Sequence, residues 1–127
     1  MDALFNHEKL EVYHVARLFN QEVRDLLDTL PRGHADSRDN LKRGAMSITR
    51  NIAEGSGKWT IKDKVNFYHI ARGSATECAA CLDELVDFDL MPQERIRAPK
   101  QALFRVVAML TAMIRSLESR TGTDMSR

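Results

Sequence analysis

Long hydrophobic runs are missing from this sequence, and no window approaches the ~18 uninterrupted apolar residues that a membrane-spanning helix requires. That excludes a helical membrane protein. Cysteine is scarce, with two in 127 residues. This is too few for the disulfide framework of a small secreted domain. The first residues, Met1-Asp2-Ala3-Leu4-Phe5-Asn6-His7-Glu8, lack a basic stretch followed by an apolar one, so they do not read as a signal peptide. A cytoplasmic protein is the expectation. An excess of charge of either sign is also missing. The formal net charge is +1, which gives no overall signal for nucleic acid. Strand-like alternation, internal repeats and low-complexity segments are absent as well.

What remains is ordinary for a soluble globular chain: 43% hydrophobic and 29% charged residues. The length suits one domain, 1–127, able to bury its own core without metal or disulfides. Four stretches repeat apolar residues at spacings of four and three, which places them on one side of a helix. The first, roughly 8–30, carries Val12, Ala16, Phe19, Val23, Leu26 and Leu30, widened by Tyr13 and Leu27. Pro31 and Gly33 end it. The second, roughly 37–54, carries Leu41, Ala45, Ile48 and Ile52, with Asp36 or Ser37 as its cap. Gly55-Ser56-Gly57 is expected to stop it, since glycine readily takes the left-handed conformation at a helix end.

The third, roughly 60–87, opens on Thr60 with Asp63 three residues on, a variant of the capping box. Its stripe reads Ile61, Val65, Tyr68, Arg72, Ala75, Ala79, Leu82 and Val86. The fourth, roughly 93–119, follows Pro92 and carries Leu103, Val107, Leu110, Ile114 and Leu117. Pro99 predicts either a kink or a helix that starts there. The polar tail 120–127 is expected to fray. Four amphipathic helices joined by short connections bury their stripes only against one another. The fold class is therefore all-α, an antiparallel up-down four-helix bundle.

Motifs for chemistry are weak. Gly55-Ser56-Gly57-Lys58 has the look of a phosphate loop, but that loop needs Gly at 52 and Ser or Thr at 59, where Ile52 and Trp59 stand. The run still offers backbone amides beside Lys58. Glu11-Val12-Tyr13-His14 is an E-x-x-H sequence, yet a di-iron bundle needs two such motifs and two more glutamates. Asn66-Phe67-Tyr68-His69 has Asn where the second Glu is required. Cys78-Ala79-Ala80-Cys81 lies mid-helix, away from the helix N-terminus that activates a redox pair, and a zinc site needs two further ligands. Both cysteines read as small packing residues. His7, His14, His34 and His69 are dispersed. No enzyme, metal or cofactor is expected.

Two features ask for an explanation. Arg72 sits in the third apolar stripe, and a buried charge needs a partner. Either Asn51, Glu54, Arg72 and Glu77 form a polar cluster that docks the second helix on the third, or Arg72 snorkels to water along its methylenes. Gly73-Ser74-Ala75 puts three small residues mid-helix, which invites a close neighbour from the second helix or from another subunit. Charge is also polarised. From Arg38 to Arg72 there are eight bases and three acids, a net +5, whereas Glu77 to Glu94 holds six acids and no base.

Two stretches are recognisable beyond patterning. Arg43-Gly44-Ala45-Met46-Ser47-Ile48-Thr49-Arg50-Asn51-Ile52-Ala53-Glu54-Gly55-Ser56-Gly57-Lys58 and Ile70-Ala71-Arg72-Gly73-Ser74-Ala75-Thr76-Glu77 resemble the signature of the four helix bundle protein family, also called the 23S rRNA-intervening-sequence protein family. Gly44 stands where that family usually has Ala, and Lys58 where it has Arg. Gly44 is expected to loosen its helix slightly. The resemblance implies a small bacterial bundle that assembles as a ring-like homo-oligomer, commonly a pentamer. It also implies kinship with accessory proteins of diversity-generating retroelements, which bind nucleic acid and a reverse transcriptase.

The leading expectation is an oligomer with one basic face on RNA or DNA phosphates. Lys42, Arg43, Arg50, Lys58, Lys62 and Lys64 supply the charge, with Trp59 as a stacking partner. The competing expectation is a protein-interaction module that docks through its acidic stretch, with no nucleic acid bound.

Overall fold

The computed structural model describes residues 3–120. It contains a 3-10 turn over Asn6–Lys9 and then four helices: α1 (Glu11–Leu27), α2 (Ala35–Gly57), α3 (Ile61–Asp87) and α4 (Gln93–Arg120). There is no strand among the described residues. The part of the tail beyond Arg120, expected to fray, lies outside them.

Local chemistry sets the ends. Leu10 is extended (φ −91°, ψ 126°) and separates the short turn from α1, so the first α-helix starts at Glu11 and not near residue 8. Gly33 takes φ +94° in the turn to α2, a conformation that costs a residue with a Cβ. Arg38 then reaches back, its Nη2 donating to the Leu30 carbonyl at 2.8 Å. Thr60 caps α3, its Oγ1 accepting from the Asp63 amide at 3.1 Å. At the other end of α3 the Leu90 amide donates to the Leu85 carbonyl (2.9 Å) and the Asp89 amide to Val86 (3.0 Å), with Asp89 left-handed at φ 57°. That is a Schellman closure built on a residue that is not glycine. Helix α4 runs unbroken through Pro99 and does not begin there. Pro99 is buried in its first two turns, where its missing N–H costs a single bond.

Contacts across the interfaces give the sense of each helix pair. Ser47 meets Ser74 and Lys64 meets Gly55, so α2 and α3 run in opposite directions. Lys100 meets Asp83, Arg105 meets Glu11 and Arg95 meets Thr29, which sets α4 antiparallel to both α3 and α1. Each helix packs on two neighbours, and among the described residues the diagonal pairs make no close backbone approach. The bundle is therefore square, with the α2–α3 interface the most extensive.

The core follows the apolar stripes. All six named positions of the first stripe and all four of the second are buried. In α3 the buried row is Tyr68, Ala71, Ala75, Cys78, Leu82 and Leu85, one residue round from the row that included Arg72. Arg72 is exposed. The end of α2 also differs from expectation. Gly55-Ser56-Gly57 continues the helix, and the chain turns only at Lys58 (φ −77°, ψ 155°). Gly55 is a packing residue: a Cβ there would lie 2.7 Å from Tyr68 Cε1 and 3.2 Å from the Lys64 carbonyl oxygen.

Candidate nucleic-acid interface

The seven residues expected to hold nucleic acid do not share one patch. Lys42 and Arg43 belong to the first half of α2. They stand ~24 Å along the helix axis from Lys58, at 1.5 Å per residue. Lys42 lines a cleft with Asn20, Arg24, Asp28 and Met46 between α1 and α2. The Arg43 guanidinium donates to Asn40 Oδ1 at 2.8 Å. The other five gather around the α2–α3 turn.

There the fold itself uses two of the charges. Lys64 Nζ donates to the carbonyls of Ser56 (3.0 Å) and Gly55 (3.4 Å). A cation on the last carbonyls of α2 answers the negative end of its dipole. Lys58 lies 3.6 Å from Glu54 and 5.1 Å from the centroid of the Phe67 ring. Arg50 and Lys62 are exposed and make no hydrogen bond or ion pair among the described residues. Trp59 is 97% exposed at the tip of the turn. Its ring is therefore open on both faces to a stacking partner. The amides of Gly55 and Ser56 lie in the last turn of a helix whose Gly55 and Ser56 are buried, so they are not presented to a phosphate.

The polar cluster of Asn51, Glu54, Arg72 and Glu77 is not assembled within the chain. Asn51 Nδ2 donates to the Ser47 carbonyl (2.8 Å) and to Ser47 Oγ (3.1 Å), and Ser47 Oγ shares a 2.8 Å hydrogen bond with Ser74 Oγ. Asn51 thus joins a small hydroxyl network where α2 crosses α3, without Arg72. Glu54 is with Lys58, while Glu77 is exposed. The reason is the rotation of the α3 stripe: Ala71 fills the inward position and turns Arg72 towards water. Of the three small residues, Ala75 is buried and Ser74 meets α2, whereas Gly73 faces open space.

The remaining motifs have structural partners. Glu11 pairs with Arg105 at 3.3 Å. His14 Nε2 donates to the Glu8 carbonyl at 2.7 Å. Among the described residues no three His, Cys, Asp or Glu side chains converge to hold a metal. Burial, with Cys81 and Glu77 adding, pushes the Cys78 thiol up to about 12, which leaves it protonated and a poor nucleophile at neutral pH. No helix among the described residues is long and apolar enough to cross a membrane.

Two features lay outside the sequence reading. The first is α4, which carries six bases against two acids over Gln93–Arg120 and presents Phe104, 75% exposed, beside Arg97, Lys100 and Arg105. A charge count over that segment reveals it. The second is a cleft of about 530 Å³ between the 3-10 turn and the end of α2, lined by Phe5, Asn6, His7, Arg50, Glu54 and Lys58 among others. Its aromatic wall comes from residues before the first helix, where no periodic signal drew attention.

A family model described as 23S rRNA-intervening sequence protein matches residues 8–112. No curated protein matches the chain.

Proposed function

The chain belongs to the 23S rRNA-intervening sequence protein family, and from that membership we propose that it is a non-catalytic, homo-oligomeric bundle, a pentamer in the ring form, that binds RNA or DNA weakly through the α2–α3 turn. The observation that carries the proposal is Trp59, 97% exposed beside Lys58, with Lys62 one turn away and Arg50 on the preceding helix. An aromatic ring near two unpaired cations, Arg50 and Lys62, stacks a base while those cations meet its phosphates, without reading sequence. Repetition of a weak site around an oligomer raises its strength by avidity.

Trp59 is the one tryptophan of the chain, so its emission reports the site directly. Titration with short single-stranded RNA at low salt is expected to quench it. Arg50→Glu with Lys62→Glu is expected to weaken binding by about tenfold or more, since each lost phosphate contact costs affinity. Emission that stays constant at saturating RNA, with no complex by gel shift, removes the reading. One observation favours a protein partner instead: Phe88 is 74% exposed inside the acidic stretch from Glu77 to Glu94. A basic protein, such as a reverse transcriptase, is the partner that surface suits.

A further inference from the structure

The cleft between the 3-10 turn and α2 has the parts of a site for a single unstacked nucleobase. Phe5 and His7 lie nearly parallel, ring centroids 5.7 Å apart and planes at 19°. Phe5 is 63% exposed, so a ring face remains open to a third aromatic. His7 is also in edge-to-face contact with Tyr13, centroids 4.5 Å apart and planes at 66°. The turn is fixed in place before any ligand arrives. The Phe5 amide donates to Glu8 Oε1 at 3.2 Å, the Glu8 amide to the Phe5 carbonyl at 3.1 Å, and His14 Nε2 ties the Glu8 carbonyl to α1. A stacking surface that is already ordered loses little entropy on binding.

The opposite wall of the cleft is α2, and it is polar. Arg50 supplies an unpaired positive charge, Lys58 and Glu54 face the cleft as an ion pair, and Asn6 on the turn brings an amide that both donates and accepts. Aromatic faces on one side and phosphate-binding cations on the other match a nucleotide with its base splayed out, and the volume of about 530 Å³ falls in the usual range for small-ligand sites. Lys58 lines the cleft and Trp59 follows it directly, so the cleft continues the surface already assigned to nucleic acid.

We propose that this cleft captures one unstacked base of a single-stranded nucleic acid, with Phe5 stacking on the base, and that it makes the protein prefer single strands to duplexes. The proposal rests on the nucleic-acid reading above and adds to Trp59 a second stacking residue, which deepens the single-strand preference that a stacked base already implies. Duplex bases are stacked on each other and have no face to offer Phe5.

The test uses the full chain, a labelled short RNA of mixed sequence, and the same strand annealed to its complement, read by fluorescence anisotropy. Wild type is expected to bind the single strand more tightly than the duplex. Phe5→Leu, which stays apolar but cannot stack, is expected to lose about tenfold on the single strand, equal to about 1.4 kcal/mol, with little change on the duplex. Phe5→Trp is expected to keep or strengthen binding. Circular dichroism confirms the fold, which an exposed residue does not threaten. Single-strand binding by Phe5→Leu equal to wild type overturns the cleft and leaves the Trp59 surface intact. Equal wild-type affinity for both forms overturns it as well. Failure of the wild type to bind either form removes both this inference and the reading beneath it.

Discussion

At the scale of single residues, Gly44 is defined by one atom on the facing helix. A Cβ built on Gly44 falls 2.6 Å from Cys78 Sγ, and Cys78 is buried. Read from sequence alone, Gly44 is a small loosening of α2. In the structure it makes room for a thiol. Gly44→Ala is expected to destabilise the protein by about 1 kcal/mol or more, because the core must shift around an added methyl. In a Cys78→Ala background the same change is expected to stabilise by about 1 kcal/mol, since the space is free and alanine favours the helix. Denaturant midpoints of the four proteins of this cycle give the answer. The same sign in both backgrounds would mean that the sulfur is not what holds Gly44 small. Gly55 stands in a like relation to the Tyr68 ring.

At the scale of elements, the weak end of α3 invites a change. Asp89 holds the left-handed position of the Schellman closure at φ 57°, where a Cβ costs roughly 1–2 kcal/mol. It also places an acid at the negative end of a helix dipole, next to Asp87. Asp89→Gly is expected to raise stability by about 1 kcal/mol, or about 4 °C in melting temperature for a chain of this size. Asp89→Ala removes the charge but keeps the Cβ and lacks the polar side chain that lets Asp tolerate this conformation, so it is expected to show no such gain in a thermal melt. How far the elements were legible in the sequence depended on where the deciding force lay. The stripes named for the first two helices are all buried, because their spacing admits one apolar face, although Val15 in α1 and Gly55 and Ser56 in α2 are buried beside them. In α3, two rows share Tyr68, Ala75 and Leu82, and only the helix's rotation against α2 and α4 chose Ala71, Cys78 and Leu85 over Arg72, Ala79 and Val86. The glycines at the end of α2 were read as a stop by their local freedom. Tertiary packing against Tyr68 gave Gly55 a different task. The candidate site was legible as a set of basic residues and one tryptophan. Which charges the fold keeps for itself was not, since Lys64 finds the α2 carbonyls only once the turn has formed.

At the scale of the whole molecule, the near-zero net charge hides a divided surface. Bases outnumber acids around the α2–α3 turn and on α4, while acids gather on the second half of α3 and the turn after it. Such a division orients an approaching polyanion even when total charge does not attract it. The strength of the response to salt then counts the cations in use. Of the six bases named for nucleic acid, Lys58, Lys64 and Arg43 have partners within the chain, and Lys42 lies on the far half of α2. Arg50, on the second half of α2, and Lys62, beside the turn, remain free. Two phosphate contacts on a single strand give a slope of about −1.4 in log K against log salt, so a fourfold rise in salt is expected to weaken binding about sevenfold. Fluorescence titrations across a salt series measure it. A slope near −4 would mean that the Lys58–Glu54 ion pair and the hydrogen bonds of Lys64 and Arg43 open on binding and that all six cations reach phosphate. A flat line would leave no phosphate contact, and the acidic stretch around Phe88 would then be the surface that recognises a partner.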